Sequence, residues 1–493
     1  MEHVDVIVVG AGISGIGAGY HLQAKAPDRS YMILEGRPAI GGTWDLFRYP
    51  GIRSDSDMYT LGYSFEPWTE AKAIADGPAI LNYVRRVAAK YGIDRHIRFN
   101  HHVAAARWST PDARWIVTAR HEGRDVEYSC NFLFMCSGYY NYARGHSPEF
   151  AGAESFKGQI IHPQFWPEDL DYAGKRVVVI GSGATAVTIV PEMARTAAHV
   201  TMLQRSPTYV VSRPSEDAWA NWLRSVLPSK LAYGLVRWRN VLFQLYFFNA
   251  ARKNPAEAKK RVLDMLAEHL PPDTIAQHFT PRYNVWDQRL CLVPDADMFD
   301  AIKRGSASVV TDTIDRFDET GIRLNSGQHL DADIIVTATG LELQLLSDVA
   351  FTVDGRAADL SQSFNYKGMM YSDIPNLASS FGYTNASWTL KADLTCGYVC
   401  RLLNTMRQRG LRQATPRIKE DLQPQPFLDF TSGYVTRAME RFPKQGDKAP
   451  WRVHQNYAKD LVSLRFGSVD DHMDFSNPQP QPGAQPVAAT ATA

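Results

Sequence analysis

Short apolar runs that stop at glycine set the pattern of this chain. Residues 4–17 read VDVIVVGAGISGIG, and residues 176–186 read RVVVIGSGATA. In each, a strand-length run passes into a glycine-rich turn and then into helical spacing. A third run, residues 333–336, ends in Thr337-Ala338-Thr339-Gly340. Strands alternating with helical segments predict an α/β fold with parallel sheets covered on both faces. The pattern divides the chain into an opening segment over 1–145, an inserted unit over 146–330, and a return segment over 331–476 that completes the first unit. Residues 477–493, rich in Pro, Gln and Ala, predict a disordered tail.

Residues 215–280 break this rhythm. They have helical spacing on a basic background and include Trp219, Trp222, Trp238, Phe243, Phe247 and Phe248. A helical excursion packed over the inserted unit accounts for them. So many aromatics among cations also suit a surface that meets a membrane or a second copy of the chain.

Composition narrows the function. The formal net charge is +1, so no global field gathers nucleic acid. No run of apolar residues is long enough to span a bilayer. The N-terminus enters a strand at once, without a basic leader or a cleavage site, so no secretory signal is expected. The five cysteines include no C-x-x-C pair, which fits a reduced, cytoplasmic setting and argues against a disulfide reductase. His101-His102 has no companions at metal spacing, and no metal is expected.

The glycine turns carry specific chemistry. In Gly10-Ala11-Gly12-Ile13-Ser14-Gly15, Gly10 permits the tight turn, Gly12 lets backbone approach a pyrophosphate, and Gly15 allows helix–strand packing. The helix start adds N–H donors and a positive dipole end. Glu35 closes the next strand 35 − 10 = 25 positions on, where a carboxylate accepts ribose hydroxyls. The second copy is Gly181-Ser182-Gly183-Ala184-Thr185-Ala186, with Ala186 in place of the third glycine. Its next strand ends at Arg205-Ser206, 205 − 181 = 24 positions on. An arginine there matches a 2′-phosphate in charge and in geometry. Two Rossmann-like domains are therefore expected, the first for FAD and the second for NADPH, with electrons passing between them.

Further motifs bring in a family. Residues 156–167, FKGQIIHPQFWP, resemble the F-x-G-x-x-x-H-x-x-x-W-P fingerprint of type I Baeyer–Villiger monooxygenases. Flavin-containing N- and S-oxygenases share its first part but end differently, so Trp166-Pro167 favours the Baeyer–Villiger branch. Gly41-Gly42-Thr43-Trp44, continuing to Tyr49-Pro50-Gly51-Ile52-Arg53-Ser54-Asp55, is similar to a second family stretch. Local wording over nearly the whole chain is similar to the ethionamide-activating bacterial subgroup. One departure is Cys136-Ser137-Gly138, where many relatives have Ala-Thr-Gly.

The resemblance implies that O2, activated on reduced FAD, is inserted beside a ketone carbonyl or onto a sulfide or thioamide. It assigns Arg289 as the fixed cation beside the flavin, Asp55 as the group that orients it, and His162 and Trp166 as couplers of domain rotation to catalysis. Asp57 competes locally with Asp55, and Arg282 and Lys391 are the next cations after Arg289. Thr43, Trp44, Thr339 and Gly340 are expected at the cofactors, and Asn385 and Trp388 at the flavin ring. Two alternatives stay open: an N- or S-oxygenase without carbonyl activity, and a catalytically silent redox-sensing flavoprotein.

Overall fold

The computed structural model describes residues 1–288, 290–428, 430 and 432–478. Two sheets carry the fold. The first runs Arg356–Ala357, Ala350–Val353, His102–Ser109, Arg114–His121, Arg124–Met135, Glu2–Val9, Tyr31–Leu34 and Ile97–Arg98, and Leu377–Ser379 also pairs with Arg124–Met135. Glu2–Val9 lies parallel to both of its neighbours. Val6, Ile7 and Val8 have no exposed surface, because a strand covered on both faces needs apolar residues at successive positions.

The second sheet runs Ala307–Thr311, His199–Gln204, Arg176–Ile180, Ile334–Thr337 and Gln159–Ile161, all parallel. This corrects the boundary expected at residue 330. The third apolar run does not open the return to the first sheet. Val336 pairs with Val179 on one side and Ile161 on the other, so the run is an interior strand of the second sheet. The chain returns to the first sheet from Ala350–Val353 onward, with Arg356–Ala357 and Leu377–Ser379.

The excursion forms four helices, Ala218–Val226, Ser229–Lys253, Pro255–Ala267 and Pro272–His278. It does not simply cover the second unit, as expected. Ala232, Tyr233 and Val236 on the long helix join the core of the first unit, whereas Leu266 and Ile275 join the core of the second. The anchor is a buried cation. Arg237 donates to the carbonyls of Tyr59 and Gly62, each at 2.8 Å, with Asp393 3.7 Å away. A charge can stay inside only when hydrogen-bonded in this way, and carbonyls at a helix C-terminus are ready acceptors. Among the described residues, no helix is long and apolar enough to cross a membrane. Of the tail expected to be disordered, residues 479–493 lie outside the described residues.

Candidate active site

Both glycine turns open into one cavity of about 990 Å3. The first turn is tight. Gly10 has φ +103°, and a Cβ there would come within 2.6 Å of the Cys136 carbonyl oxygen. A Cβ on Gly15 would overlap the Gly10 carbonyl oxygen. Gly15 therefore acts in packing, and it does not line the cavity. Gly12 and Gly42 face each other, a Cβ on Gly12 lying 3.5 Å from the Gly42 Cα. Backbone bare of side chains on two sides is a cradle that a pyrophosphate can enter.

Glu35 ends the second strand and is buried. Its Oε2 accepts from the Ala11 N–H at 2.6 Å and its Oε1 from the Arg37 N–H at 2.8 Å. Burial pushes its carboxyl pKa up, against these two bonds. Each oxygen keeps a second lone pair for a ribose hydroxyl. Gly42, Thr43 and Trp44 line the same end.

The second turn repeats the first with looser fit. Gly181 has φ +131°, and a Cβ there would overlap the Ala338 carbonyl oxygen, as Gly10 meets Cys136. Gly183 has nothing within 4 Å of such an atom. Gly183, Ala184 and Thr185 line the cavity, while Ala186 is fully buried behind it. Arg205 lines the cavity and is exposed. Ser206 is exposed and not on the wall. Sequence reading missed Thr208, whose hydroxyl lies 2.7 Å from that of Ser182.

Asp55 lines the cavity and Asp57 does not. Asp57 is the N-cap of the helix Met58–Leu61, accepting from Thr60 N–H at 3.0 Å and from the Asn240 amide at 2.9 Å. Arg289 lies outside the described residues; Gln288 and Cys291, on either side of it in sequence, line the cavity. Lys391 is no substitute cation, since it is buried and pairs with Asp460 at 2.7 Å. The same carboxylate accepts from the Tyr383 hydroxyl at 2.6 Å, and Tyr383 is on the wall. Arg282 is exposed and off the wall.

Trp388 lines the cavity, stacks on Tyr139 at 5.1 Å and donates from its indole to the Ser14 hydroxyl at 2.7 Å. Ser14 also receives the Ser380 hydroxyl at 3.2 Å. Asn385 is not on the wall; its amide donates to the Gln455 carbonyl at 2.9 Å, which ties it to the C-terminal segment.

His162 and Trp166 also stand behind the wall. Trp166 packs on the second core. His162 accepts the Gln164 N–H on Nδ1 at 3.2 Å and faces the Gly340 carbonyl with Nε2 at 3.3 Å. Those roles fit one neutral tautomer, with the proton on Nε2. Burial holds its pKa below the usual histidine value, the Gly340 bond opposing. Gly340 and Thr339 line the cavity, so the fingerprint reaches it through Gly340.

The two units also meet beside the cavity. Arg53, on the wall, donates to Asp297 at 2.5 and 3.4 Å, and Asp297 begins the helix Asp297–Lys303 of the second unit.

Comparison with known proteins agrees with this arrangement. Residues 71–271 match the flavin-binding monooxygenase-like family, and residues 8–75 an NAD(P)-binding Rossmann-like domain. The chain is 57% identical over 473 residues to the FAD-containing monooxygenase EthA of Mycobacterium tuberculosis, covering 95% of this chain and 97% of that one. It is 49% identical over 474 residues to the probable FAD-binding monooxygenase AlmA of Acinetobacter baylyi, covering 95% of each. Its fold is similar to that of cyclohexanone monooxygenase from Rhodococcus sp. Phi1 bound to NADP+, with TM-score 0.76, 18% identity, and 97% and 99% of the two chains covered. Oxidised steroid monooxygenase bound to NADP gives TM-score 0.73 at 22% identity, covering 96% of this chain and 100% of that one.

Proposed function

Because this chain belongs to the FAD-containing monooxygenase family, in the type I Baeyer–Villiger group near EthA, we propose that it uses NADPH and O2 to convert small ketones to esters or lactones and to oxidise sulfides and thioamides. One observation carries this reading: both glycine turns, Asp55 and Trp388 line a single cavity. Two dinucleotides held there can exchange electrons at short range.

The first turn fits FAD. Gly10, Gly12 and Gly42 clear space for the pyrophosphate, the helix Ile13–Lys25 points its N-terminus at it, and Glu35 takes the ribose. The second turn fits NADPH, with Gly181, Gly183, Ala184 and Thr185 at the pyrophosphate and Arg205 at the 2′-phosphate. When bound and reduced, the flavin supplies the electrons that activate O2. Around it the chain supplies charge and shape. Arg289 cannot lose its proton near neutral pH, so it holds developing negative charge beside the reacting carbonyl. Asp55 orients that guanidinium. Trp388 and Tyr139 wall off water, and the Ser14 hydroxyl fixes the indole. His162 holds Gly340 in place, and Trp166 seats the fingerprint on the second core.

The substrate is a small molecule together with O2, and the near-neutral charge does not attract nucleic acid. A cytoplasmic setting fits five buried cysteines with no disulfide among them. The excursion 215–280 offers a contact surface for a membrane or a second copy of the chain. The test is a panel of simple ketones and sulfides with FAD-loaded enzyme, scored as product per NADPH consumed. Esters are expected, and Arg289→Ala should abolish them while flavin reduction persists. Sulfoxide without any ester would assign the chain to S-oxygenation instead.

A further inference from the structure

The helices Ala218–Val226 and Ser229–Lys253 wear their apolar face outward. Leu231, Leu235, Trp238, Leu242 and Tyr246 are all exposed, Leu242 at 60% and Tyr246 at 68%. They follow one another at intervals of four, three, four and four residues. On a helix of 3.6 residues per turn they fall within about 80° of arc. The opposite side of the same helix, at Ala232, Tyr233, Val236 and Arg237, is buried in the fold. Trp219, Trp222 and Val226 extend the apolar face onto the preceding helix. Scattered exposed apolar residues need no explanation, but a contiguous stripe on two packed helices does.

Charge decides what covers it. The chain as a whole balances 53 basic residues with 52 acidic ones. Yet residues 218–256 contain no Asp or Glu. Of their six cations Arg237 is buried, and Arg239 and Arg252 pair with Asp217 and Asp287, which leaves Arg224, Lys230 and Lys253. Exposed Lys230 and Lys253 stand at the two ends of the stripe. A second copy of this face would bring cations against cations. A bilayer with anionic headgroups meets both features at once, apolar side chains sinking below the headgroups and cations lying among them. Trp and Tyr are the residues that settle at that depth.

We propose that this helix pair docks the protein on an anionic lipid surface. The inner side of the long helix adds a consequence. Val241 packs with Tyr383 and Leu390, and Leu245 and Ala386 pack against them. Tyr383 and Ala386 line the cavity. The docked helix, about 10 Å thick, thus packs together with Tyr457 against that stretch of wall. A substrate dissolved in the bilayer is delivered beside the site. This delivery rests on the ketone-oxidising reading, whereas docking itself does not.

The test uses the FAD-loaded full chain and sedimentation with vesicles. Vesicles of equal parts phosphatidylcholine and phosphatidylglycerol should pellet the protein, phosphatidylcholine alone several-fold less, and high salt should release much of it. In the double variant Leu242→Glu, Tyr246→Glu, both changes are on the surface. A retained flavin spectrum reports its fold, and its bound fraction should fall about tenfold. Equal pelleting of parent and variant overturns the proposal. So does a dimer in gel filtration that the variant splits, without binding to vesicles, which assigns the face to a second copy. For delivery, the KM for a long-chain ketone supplied in the vesicles should rise in the variant, with turnover of a short soluble ketone unchanged. Vesicle binding without ester from any ketone would defeat the oxygenation reading and leave docking intact.

Discussion

The two glycine turns share one plan and differ in how tightly it is executed. In each, the first glycine is pressed against the carbonyl that ends a neighbouring strand, Cys136 for Gly10 and Ala338 for Gly181. Around Gly10 the remaining space is also taken. Gly15 abuts the turn, Gly42 faces Gly12, and the acid that ends the next strand is buried and held by two backbone N–H groups. Around Gly181 the third position admits alanine, Gly183 meets nothing, and Arg205 stands in solvent. A closed site built from backbone suits a cofactor that stays. An open one with an exposed charge suits a cofactor that comes and goes each turnover.

Glycine replacements should break this contrast most visibly. Gly15→Ala forces a methyl into the Gly10 carbonyl and should cost about 3 kcal/mol or more, giving low yield and little bound flavin. Gly183→Ala has room and should fold normally, weakening only NADPH binding. Thermal unfolding and flavin content of the two proteins check this. Equal damage in both would deny the difference between the turns.

The charged partners should separate next. Glu35→Ala should purify depleted of flavin and regain some in excess FAD. Arg205→Ala should keep its flavin and raise KM for NADPH about tenfold, the low end for a charged contact because the residue is exposed and screened by salt. KM for NADH should hardly change. Equal loss with both nucleotides would remove Arg205 from the phosphate site.

A smaller effect should come from the bridge between the units. Asp297→Asn keeps the shape but loses the charge that meets Arg53. Its effect should be a few-fold fall in coupling, read as peroxide released per NADPH, with flavin content unchanged. Unchanged coupling would make the pair merely structural.

The smallest should appear in acid. The folded protein holds His162 neutral, with a pKa below the usual 6.5. Its contribution is therefore full above 6.5 and is lost as pH falls through the folded value, because the unfolded chain takes up the proton first. His162→Gln should lower Tm at neutral pH and flatten its fall below pH 6.5. A parallel fall in both proteins would mean that His162 is not the group.

Much of this contrast was written in local sequence. Glycine spacing after an apolar run, and an acid or a base at the end of the next strand, are short-range signals; Glu35 and Arg205 each follow their strand directly and line one cavity. What was not legible depended on partners far along the chain. Residues 333–336 read as a buried strand but carry nothing that says which sheet takes them. Arg237 looked like one more cation on a basic helix until the carbonyls of Tyr59 and Gly62 met it. Tyr383 and Lys391 share Asp460 across 77 and 69 residues, a span no local pattern encodes. Asp57 could have been separated from Asp55 beforehand, since an aspartate three residues before Thr60 at a helix start reads as an N-cap.

If this chain oxidises ketones, electrons from the open site are spent on oxygen insertion at the closed one. Turnover of a simple ketone under 18O2, with NADPH and ester counted together, tests it most directly. One labelled oxygen is expected in the ester for each NADPH consumed. NADPH loss that yields only hydrogen peroxide, or ester carrying no label, would contradict it.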